Sequence, residues 1–230
     1  MMPNKARPKT KNIDGYELSF DSDWTKSLES RKHWGFYWNQ AWLVHQYTSL
    51  DERLIEIGVG TGFLSNYLRG LGWDVLTVDI DEDKNPDIVC DVSTYDFSND
   101  SFSSVIAFEI FEHIPFPLFR RTVKNICSEK PNIVIFSLPW SVRKIAHISI
   151  KVPKIKKIEF NILMPKSKIY TKNHFWELKR KGRGRREVIE DGEKGLISVK
   201  DVSEVFLEQG YRVAPLHREG RIQFFVAFIE

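Results

Sequence analysis

Short apolar runs alternate with amphipathic segments along most of the chain from position 53 onward. The runs predicted as strands are RLIEI, DVLTVDI, DIVCDV, SSVIAFEI and NIVIFSLP, and the helices between them are TGFLSNYLRGL and FPLFRRTVKNICSE. A further helix is predicted for SVKDVSEVFLEQG, with Ser198 as its N-cap and Gly210 beyond its C-terminus. Two last strands, YRVAPLHR and RIQFFVAFIE, flank a turn at Glu219 and Gly220.

This alternation of strands and helices predicts an α/β fold. Apolar strands separated by helices favour a doubly wound, mostly parallel sheet that is covered on both faces. The final two strands are joined by a short turn, so they must pair antiparallel. The predicted architecture is a seven-stranded sheet with a C-terminal antiparallel hairpin at one edge.

The segment before the first strand of this core is predicted to be a tail and a helix. Residues 1–12 are polar and basic, and we expect a disordered tail. Residues 27–50 are rich in aromatic side chains and predict a helix, on which Trp34, Trp38 and Trp42 share one face. Such a stripe favours core packing over ligand contact, although the helix is also expected to cap the ligand site, which Tyr37 could reach.

A basic segment interrupts the core between its fifth parallel strand and its last helix. Residues 139–197 contain 16 Lys and Arg against 6 Asp and Glu, and the rest of the chain contains 18 against 25. Apolar positions recur every three or four residues over 145–162, which predicts an amphipathic helix that Pro153 kinks or splits. The expected divisions are 1–50, a tail and aromatic cap; 51–138, the core; 139–197, a basic inserted cap; and 198–230, the last helix and hairpin.

The sequence LIEIGVGTGF places three glycines at the first strand-to-helix turn, where ligands bind in open α/β sheets. The dinucleotide fingerprint GxGxxG would need a glycine where this chain has Phe63, which weakens a nicotinamide-cofactor interpretation. No GK[ST] follows, so a phosphate loop is not predicted either. The turn therefore indicates a ligand that a glycine backbone can approach closely, and it disfavours a pyrophosphate.

The spacing E-x-G-x-G-x-G resembles that of class I S-adenosylmethionine (SAM)-dependent methyltransferases, which are Rossmann-like. Three further pieces carry the resemblance: an acid after the second strand in TVDID, an acid in VCDVSTYDF, and FEIFEHIP, which is similar to the LEHI of the methyltransferase type 11 group. It covers residues 53–138 well and 198–230 loosely. The resemblance implies SAM as cofactor, S-adenosylhomocysteine (SAH) as product, and these cofactor-binding residues: Glu56, Gly58, Gly60, Gly62, Asp79, Ile80, Asp91, Val92 and Glu109.

These residue types suit SAM chemically. SAM carries a sulfonium, an α-amino group and a ribose but no phosphate, so its site needs carboxylates and backbone donors. Asp79 is expected to hold the ribose hydroxyls, a role that Asp81 could share, and Asp91 to lie near the adenine or to form only a turn. Glu109 should line the pocket at the methionine end.

Two histidines and one acid are the candidate catalytic residues. His113 follows the fourth strand and could take a proton from the acceptor, or could merely cap the next helix. His174 and Glu177 lie in YTKNHFWEL, and the resemblance implies that this segment forms part of the acceptor site. Alternatively, Phe175 and Trp176 only anchor the insertion on the core.

Composition sets the remaining expectations. Cys90 and Cys127 have no metal-binding or disulfide spacing, so no metal site is predicted and a reducing cytoplasm is expected. The polar N-terminus predicts no secretory signal, and no apolar run is long enough for a membrane span. Residues 179–186, KRKGRGRR, could contact an anionic ligand or could be a solvated loop.

The expected function is methyl transfer to a small-molecule or lipid-like acceptor, at oxygen rather than nitrogen. The alternatives are a methyltransferase that acts on RNA or another anionic macromolecule, a SAM-binding regulator without activity, and, less favoured, a dehydrogenase.

Overall fold

The computed structural model describes residues 9–20, 31–150, 158–165, 173–179 and 194–229. Four helices and thirteen strands lie in these ranges, with short 3-10 turns at Glu82–Lys84, Phe97–Asn99 and Phe111–His113. In chain order the elements are β1 (Lys9–Ile13), β2 (Tyr16–Phe20), α1 (Arg31–Tyr47), β3 (Arg53–Ile57), α2 (Phe63–Gly70), β4 (Asp74–Asp79), β5 (Ile88–Val89), β6 (Ser104–Phe108), α3 (Phe116–Ser128), β7 (Ile133–Pro139), β8 (Val142–Ile150), β9 (Ile158–Pro165), β10 (Trp176–Leu178), β11 (Gly195–Ile197), α4 (Val199–Leu207), β12 (Tyr211–Glu219) and β13 (Ile222–Ile229).

A seven-stranded sheet forms the centre, in the order β12-β13-β7-β6-β3-β4-β5. The five strands from β3 to β7 are parallel, whereas β13 runs antiparallel to both β7 and β12. The predicted α/β fold, including the antiparallel C-terminal hairpin, is therefore confirmed.

Helices cover both faces of the sheet. Helices α1 and α2 bury Leu43, Val44, Leu64 and Leu68 on one face, while α3 and α4 bury aromatic and aliphatic side chains such as Phe119 on the other. Helix α4 begins at the predicted N-cap, where Ser198 and Asp201 form a reciprocal capping box that satisfies free backbone N–H groups. None of the described helices is long and apolar enough to cross a bilayer.

The predicted amphipathic helix over 145–162 is wrong. Strands β8 and β9 form an antiparallel hairpin, with Ala146 opposite Ile162 and Ile148 opposite Phe160. The sequence AHISI, residues 146–150, also alternates apolar and polar residues with a period of two, and its isoleucines are β-branched, so it suits a strand better than a helix. Pro153, the expected kink, lies outside the described residues.

The disordered tail predicted over residues 1–12 is also wrong for residues 9–12, which belong to β1. The turn between β1 and β2 places Asp14 at φ 50° and Gly15 at φ 84°, as an Asp-Gly hairpin turn requires. Residues 1–8 lie outside the described ranges. The Asp-Gly pair, followed by the alternating sequence YELSF, was the signal for this hairpin.

The expectation that the tryptophan stripe of α1 packs in the core is wrong as well. Trp34, Trp38 and Trp42 are 54%, 64% and 40% exposed, because α1 turns Leu43 and Val44 toward the sheet instead. Trp38 and Trp42 stack on each other, with ring centroids 6.2 Å apart.

Candidate functional site

The glycine turn after β3 is shaped by close packing at its first glycine. Gly58 has φ 81°, donates its N–H to the carbonyl oxygen of Val78 at 2.8 Å, and lies against Ile110, the residue that follows Glu109 after β6. A Cβ added to Gly58 would sit 1.9 Å from Cδ1 of Ile110. Gly60 and Gly62 also have positive φ, a backbone conformation that glycine adopts readily because it has no Cβ.

Asp79 holds the next strand end against this turn. Its Oδ2 accepts the backbone N–H of Val59 at 2.9 Å, and its Oδ1 accepts the N–H of Asp81 at 2.9 Å. The Lys84 ammonium lies 3.2 Å from Oδ2. The carboxylate is almost fully buried and lies where the carboxyl ends of β3 and β4 meet, which is the position predicted for a ribose-binding acid.

Asp91 and Val92 lie beside Asp79 but serve the local structure. The N–H of Cys90 donates to the carbonyl of Asp79 at 3.0 Å, which joins the two loops. Oδ1 of Asp91 accepts the N–H of Ser93 at 2.9 Å, as in a turn-forming aspartate, and the carbonyl of Val92 accepts from Asn125. The structure therefore brings Asp91 to the site's edge while its carboxylate supports the turn.

Glu56 is a buried acid beneath the glycine turn. Burial raises its pKa to about 8, against smaller opposing effects from the Ser65 hydroxyl and Arg69. At neutral pH the protonated form is favoured, so this side chain can donate a hydrogen bond as well as accept one. Its Oε2 has no hydrogen-bond partner among the described residues.

Helix α1 covers the turn from above through aromatic contacts. Tyr37 Oη and Thr61 Oγ1 lie 3.1 Å apart, and the ring of Phe63 packs 4.6 Å from Tyr37 and 4.9 Å from Trp34. Phe63, the residue that departs from the dinucleotide fingerprint, is the first residue of α2, and its ring packs α2 against α1. Tyr37 reaches the glycine turn, as expected.

The β1–β2 hairpin adds a second cover that sequence reasoning missed. Lys9 forms ion pairs with Asp83 at 2.5 Å and Asp81 at 3.6 Å, in the loop after β4. Ile13 and Leu18 pack in one cluster with partly buried neighbours, among them Ile80. Ile80 therefore lies between the loop after β4 and the hairpin.

Glu109 begins the second half of the site, at the carboxyl end of β6. It has φ 55°, which is rare for a residue with a side chain and indicates backbone strain. Its N–H donates to Ser137 Oγ at 3.0 Å, and that hydroxyl donates to its Oε1 at 3.1 Å. Burial raises its pKa to about 7, an effect that Ser137 and Arg221 reduce.

Three residues after Glu109, Glu112 is fully buried, and neither carboxylate oxygen has a hydrogen-bond partner among the described residues. Burial and, secondarily, the charge of Glu109 hold its pKa well above the ordinary range. In the sequence, Glu112 is recognised only as part of the EHI match and is not predicted as a site residue. Its place in that acidic-histidine motif was the available signal.

His113, His174 and Glu177 come together although about 60 residues separate the first two. Nδ1 of His113 donates to the carbonyl of Asn173 at 3.0 Å, and Nδ1 of His174 lies 3.0 Å from Oε1 of Glu177. The two imidazole rings meet edge to face with centroids 4.9 Å apart. One ligand atom from each of Glu112, His113 and His174 lies within 4.8 Å of the other two.

The environment of His113 makes it a weak base. Burial, and then the neighbouring His174, lower the pKa of His113 to about 3. It stays neutral at physiological pH, which disfavours His113 as the group that takes a proton. His174 and Glu177 are buried and form a carboxylate–imidazole pair.

The 173–179 segment is fastened to the core by backbone and tryptophan contacts. The N–H of Phe175 donates to the carbonyl of Glu112 at 2.8 Å, and Nε1 of Trp176 donates to the carbonyl of Ile114 at 2.9 Å. Trp176 is fully buried. The anchoring predicted for this residue is present, and it is the same contact that delivers His174 to His113.

Comparison with known protein families identifies the family of this chain. A family model described as a methyltransferase domain matches residues 11–148, more than half of the chain. The chain belongs to this methyltransferase family. No curated protein sequence matches it significantly.

Solved structures confirm the fold of this methyltransferase. A sugar N-methyltransferase from Streptoalloteichus has a TM-score of 0.59 at 12% identity, over 97% of this chain and 98% of its own. The magnesium protoporphyrin IX methyltransferase from Synechocystis, solved with SAH, has a TM-score of 0.56 at 12% identity, over 86% and 84%. A glycopeptide N-methyltransferase with SAH has a TM-score of 0.53 at 10% identity, over 84% and 89%. The predicted class I methyltransferase fold is confirmed.

Proposed function

We propose that the protein is a SAM-dependent methyltransferase that methylates a small-molecule or lipid-like acceptor at oxygen. The observation that carries the cofactor assignment is the Asp79 carboxylate, which is hydrogen-bonded to the glycine turn's own Val59 N–H at 2.9 Å. An acid fixed there can accept hydrogen bonds from the hydroxyls of an adenosyl ribose. The SAH complexes of two structurally similar proteins support this assignment.

The residues present fit SAM in charge as well as shape. A Cβ at Gly60 would meet no atom within 4 Å, which leaves room for a ligand beside the backbone, and we assign Glu109, at the carboxyl end of β6, to the methionine end. When bound, SAM supplies a methyl carbon, which passes to the acceptor as the carbon–sulfur bond breaks with its electron pair going to sulfur. Catalysis by the chain then consists mainly of positioning and of excluding water.

The acceptor's reacting atom is assigned to the side of the site that holds His174. A hydroxyl must lose its proton during methylation, and the His174–Glu177 pair can receive it because the carboxylate would stabilise the imidazolium. A neutral amine needs no such help before it attacks. This difference supports oxygen as the acceptor atom.

The apolar hairpin supports a small or lipid-like acceptor. Its exposed face carries large aliphatic side chains at 44–58% exposure, which are Ile145, Ile148, Ile150, Ile162 and Met164. Such a surface suits an apolar molecule better than a phosphate backbone. The basic residues 179–186, which favour the RNA alternative, lie outside the described residues except for Lys179.

A product assay tests this proposal. Purified protein is incubated with SAM and either hydroxylated apolar compounds or a short RNA, and SAH release and acceptor mass are followed by mass spectrometry. We expect a gain of one methyl group on a hydroxyl compound, with little dependence on salt. His174→Gln should reduce turnover strongly, whereas His45→Gln, an exposed histidine on α1, should not. Methylation of RNA alone, with a rate that falls steeply between low and high salt, would contradict the acceptor assignment.

A further inference from the structure

The Glu112 carboxylate lacks the partners that burial demands. The side chain is fully buried, and neither oxygen accepts or donates a hydrogen bond among the described residues. An unsatisfied buried polar group is destabilising, and a charged one is more so. Buried acids are therefore normally paired, hydrogen-bonded or bound to a metal.

The two imidazoles that face this carboxylate are both oriented through Nδ1. The carbonyl oxygen of Asn173 can only accept, so Nδ1 of His113 carries the proton and its Nε2 keeps a lone pair. Nδ1 of His174 is held by Glu177, which leaves its Nε2 free in the same way. A histidine whose other ring nitrogen is fixed by a carbonyl or a carboxylate is the arrangement seen in metal-bound histidines.

We propose that Glu112, His113 and His174 bind a divalent transition-metal ion, with Glu177 as the residue that positions His174. Two imidazoles and one carboxylate suit Zn²⁺, Mn²⁺ or Fe²⁺ better than Mg²⁺, which prefers oxygen ligands. Ligand atoms about 2.1 Å from one ion lie at most about 4.2 Å apart. The three atoms, now within 4.8 Å, would close by small side-chain rotations.

The position of His113 gives the ion a path from solvent. Glu112 and His174 are buried, whereas His113 is a partly exposed residue. Three protein ligands leave coordination positions open, as in catalytic rather than structural metal sites. If the proposed function holds, the bound ion would lower the pKa of the acceptor hydroxyl, and the proton would pass to water instead of to His174.

Metal titration of the full chain tests this site without relying on activity. Protein stripped with a chelator is titrated with Co²⁺, followed by its visible absorption, and with Zn²⁺, followed by calorimetry. We expect one equivalent to bind with micromolar or tighter affinity and to raise the melting temperature. Glu112→Gln and His174→Gln should each weaken binding by about 100-fold or more, and Glu177→Gln by about 10–100-fold. His45→Gln should leave it unchanged.

Several results would overturn the assignment. These are no binding to the folded wild-type protein, unchanged affinity in folded Glu112→Gln and His174→Gln, or tighter binding of Mg²⁺ than of Zn²⁺. The wild-type titration decides the question even if one variant does not fold. SAM titration of the metal-free protein separates the two proposals, because Asp79 and the glycine turn are not among the ligands. If the protein binds SAM but no metal, only the metal site is ruled out. If it binds metal but no SAM, only the proposed cofactor is ruled out.

Discussion

The proposed cofactor half of the site, which is the glycine turn with Asp79, and the proposed acceptor half, which is residues 109–113 with residues 174–177, are built in different ways. The first is local in sequence: Gly58 and Asp79 end neighbouring parallel strands and meet through one hydrogen bond to Val59. The second joins residues 109–113 to residues 174–177 through an edge-to-face pair of imidazoles and a buried tryptophan. The topology of a parallel sheet is therefore enough to assemble the proposed cofactor half, whereas the proposed acceptor half depends on long-range packing.

The largest expected effect concerns the anchor of the acceptor half. Trp176→Ala removes a fully buried indole that packs 5.1 Å from Phe119 and donates to the Ile114 carbonyl. We expect the free energy of unfolding, measured in urea, to fall by about 3–5 kcal/mol. Trp38→Ala, at a 64% exposed position on α1, should change it by less than about 0.5 kcal/mol. Equal losses would show that residues 173–179 are not anchored as described.

The next effect concerns pH and the buried acid of the cofactor half. The pKa of Glu56 is raised from 4.5 to about 8 in the folded state, so folding favours its protonated form. Its stabilising contribution is complete below pH 4.5 and is lost progressively as the pH rises to 8. Relative to Glu56→Gln, the wild-type free energy of unfolding should fall by up to about 1.4 kcal/mol per pH unit in that window.

Denaturant unfolding of both proteins at pH 5, 6.5 and 8 measures this difference. Glu204→Gln, at a glutamate of α4 whose side chain is 44% exposed and pairs with Lys200, controls for the loss of a surface carboxylate. A flat Glu56→Gln difference would mean that Glu56 ionises normally, and the glycine turn would then lie above an extra negative charge.

A smaller effect separates two glycines of one turn. Gly58→Ala must displace Ile110, whereas a Cβ at Gly60 meets no atom within 4 Å, and both positions have positive φ. SAM affinity of Gly58→Ala should be lower than that of Gly60→Ala by about 1–3 kcal/mol, roughly 5- to 150-fold. Calorimetry measures both. Adding Ile110→Ala to Gly58→Ala should recover part of the loss, and no recovery would show that the packing of Ile110 is not the cause.

The sequence predicted what local patterns and sheet topology determine. The positions of Asp79 and the glycine turn followed from strand ends, and Ser198 followed from capping chemistry. The hairpin of β8 and β9 did not, because isoleucines spaced three apart match a helix period while ISI also matches a strand. In such short apolar runs tertiary pairing decides.

The acceptor cluster could be predicted only in part. His113 and His174 were each candidate catalytic residues. Their contact depends on the hydrogen bond from Trp176 Nε1 to the Ile114 carbonyl, which cannot be predicted from residue spacing. The role of Glu112 was hidden for the same reason. Its burial and lack of partners are properties of the folded chain.

The most direct test of the central claim is calorimetric titration with SAM, SAH and NAD of the wild-type protein, Asp79→Ala and Asp74→Ala. Asp74 is an exposed acid at the opposite end of β4 and serves as the matched control. We predict micromolar binding of SAM and SAH but not NAD, weakened at least about tenfold in Asp79→Ala and retained in Asp74→Ala. Absence of SAM and SAH binding to the folded wild-type protein, or equal affinity in Asp79→Ala, would contradict the proposed cofactor site.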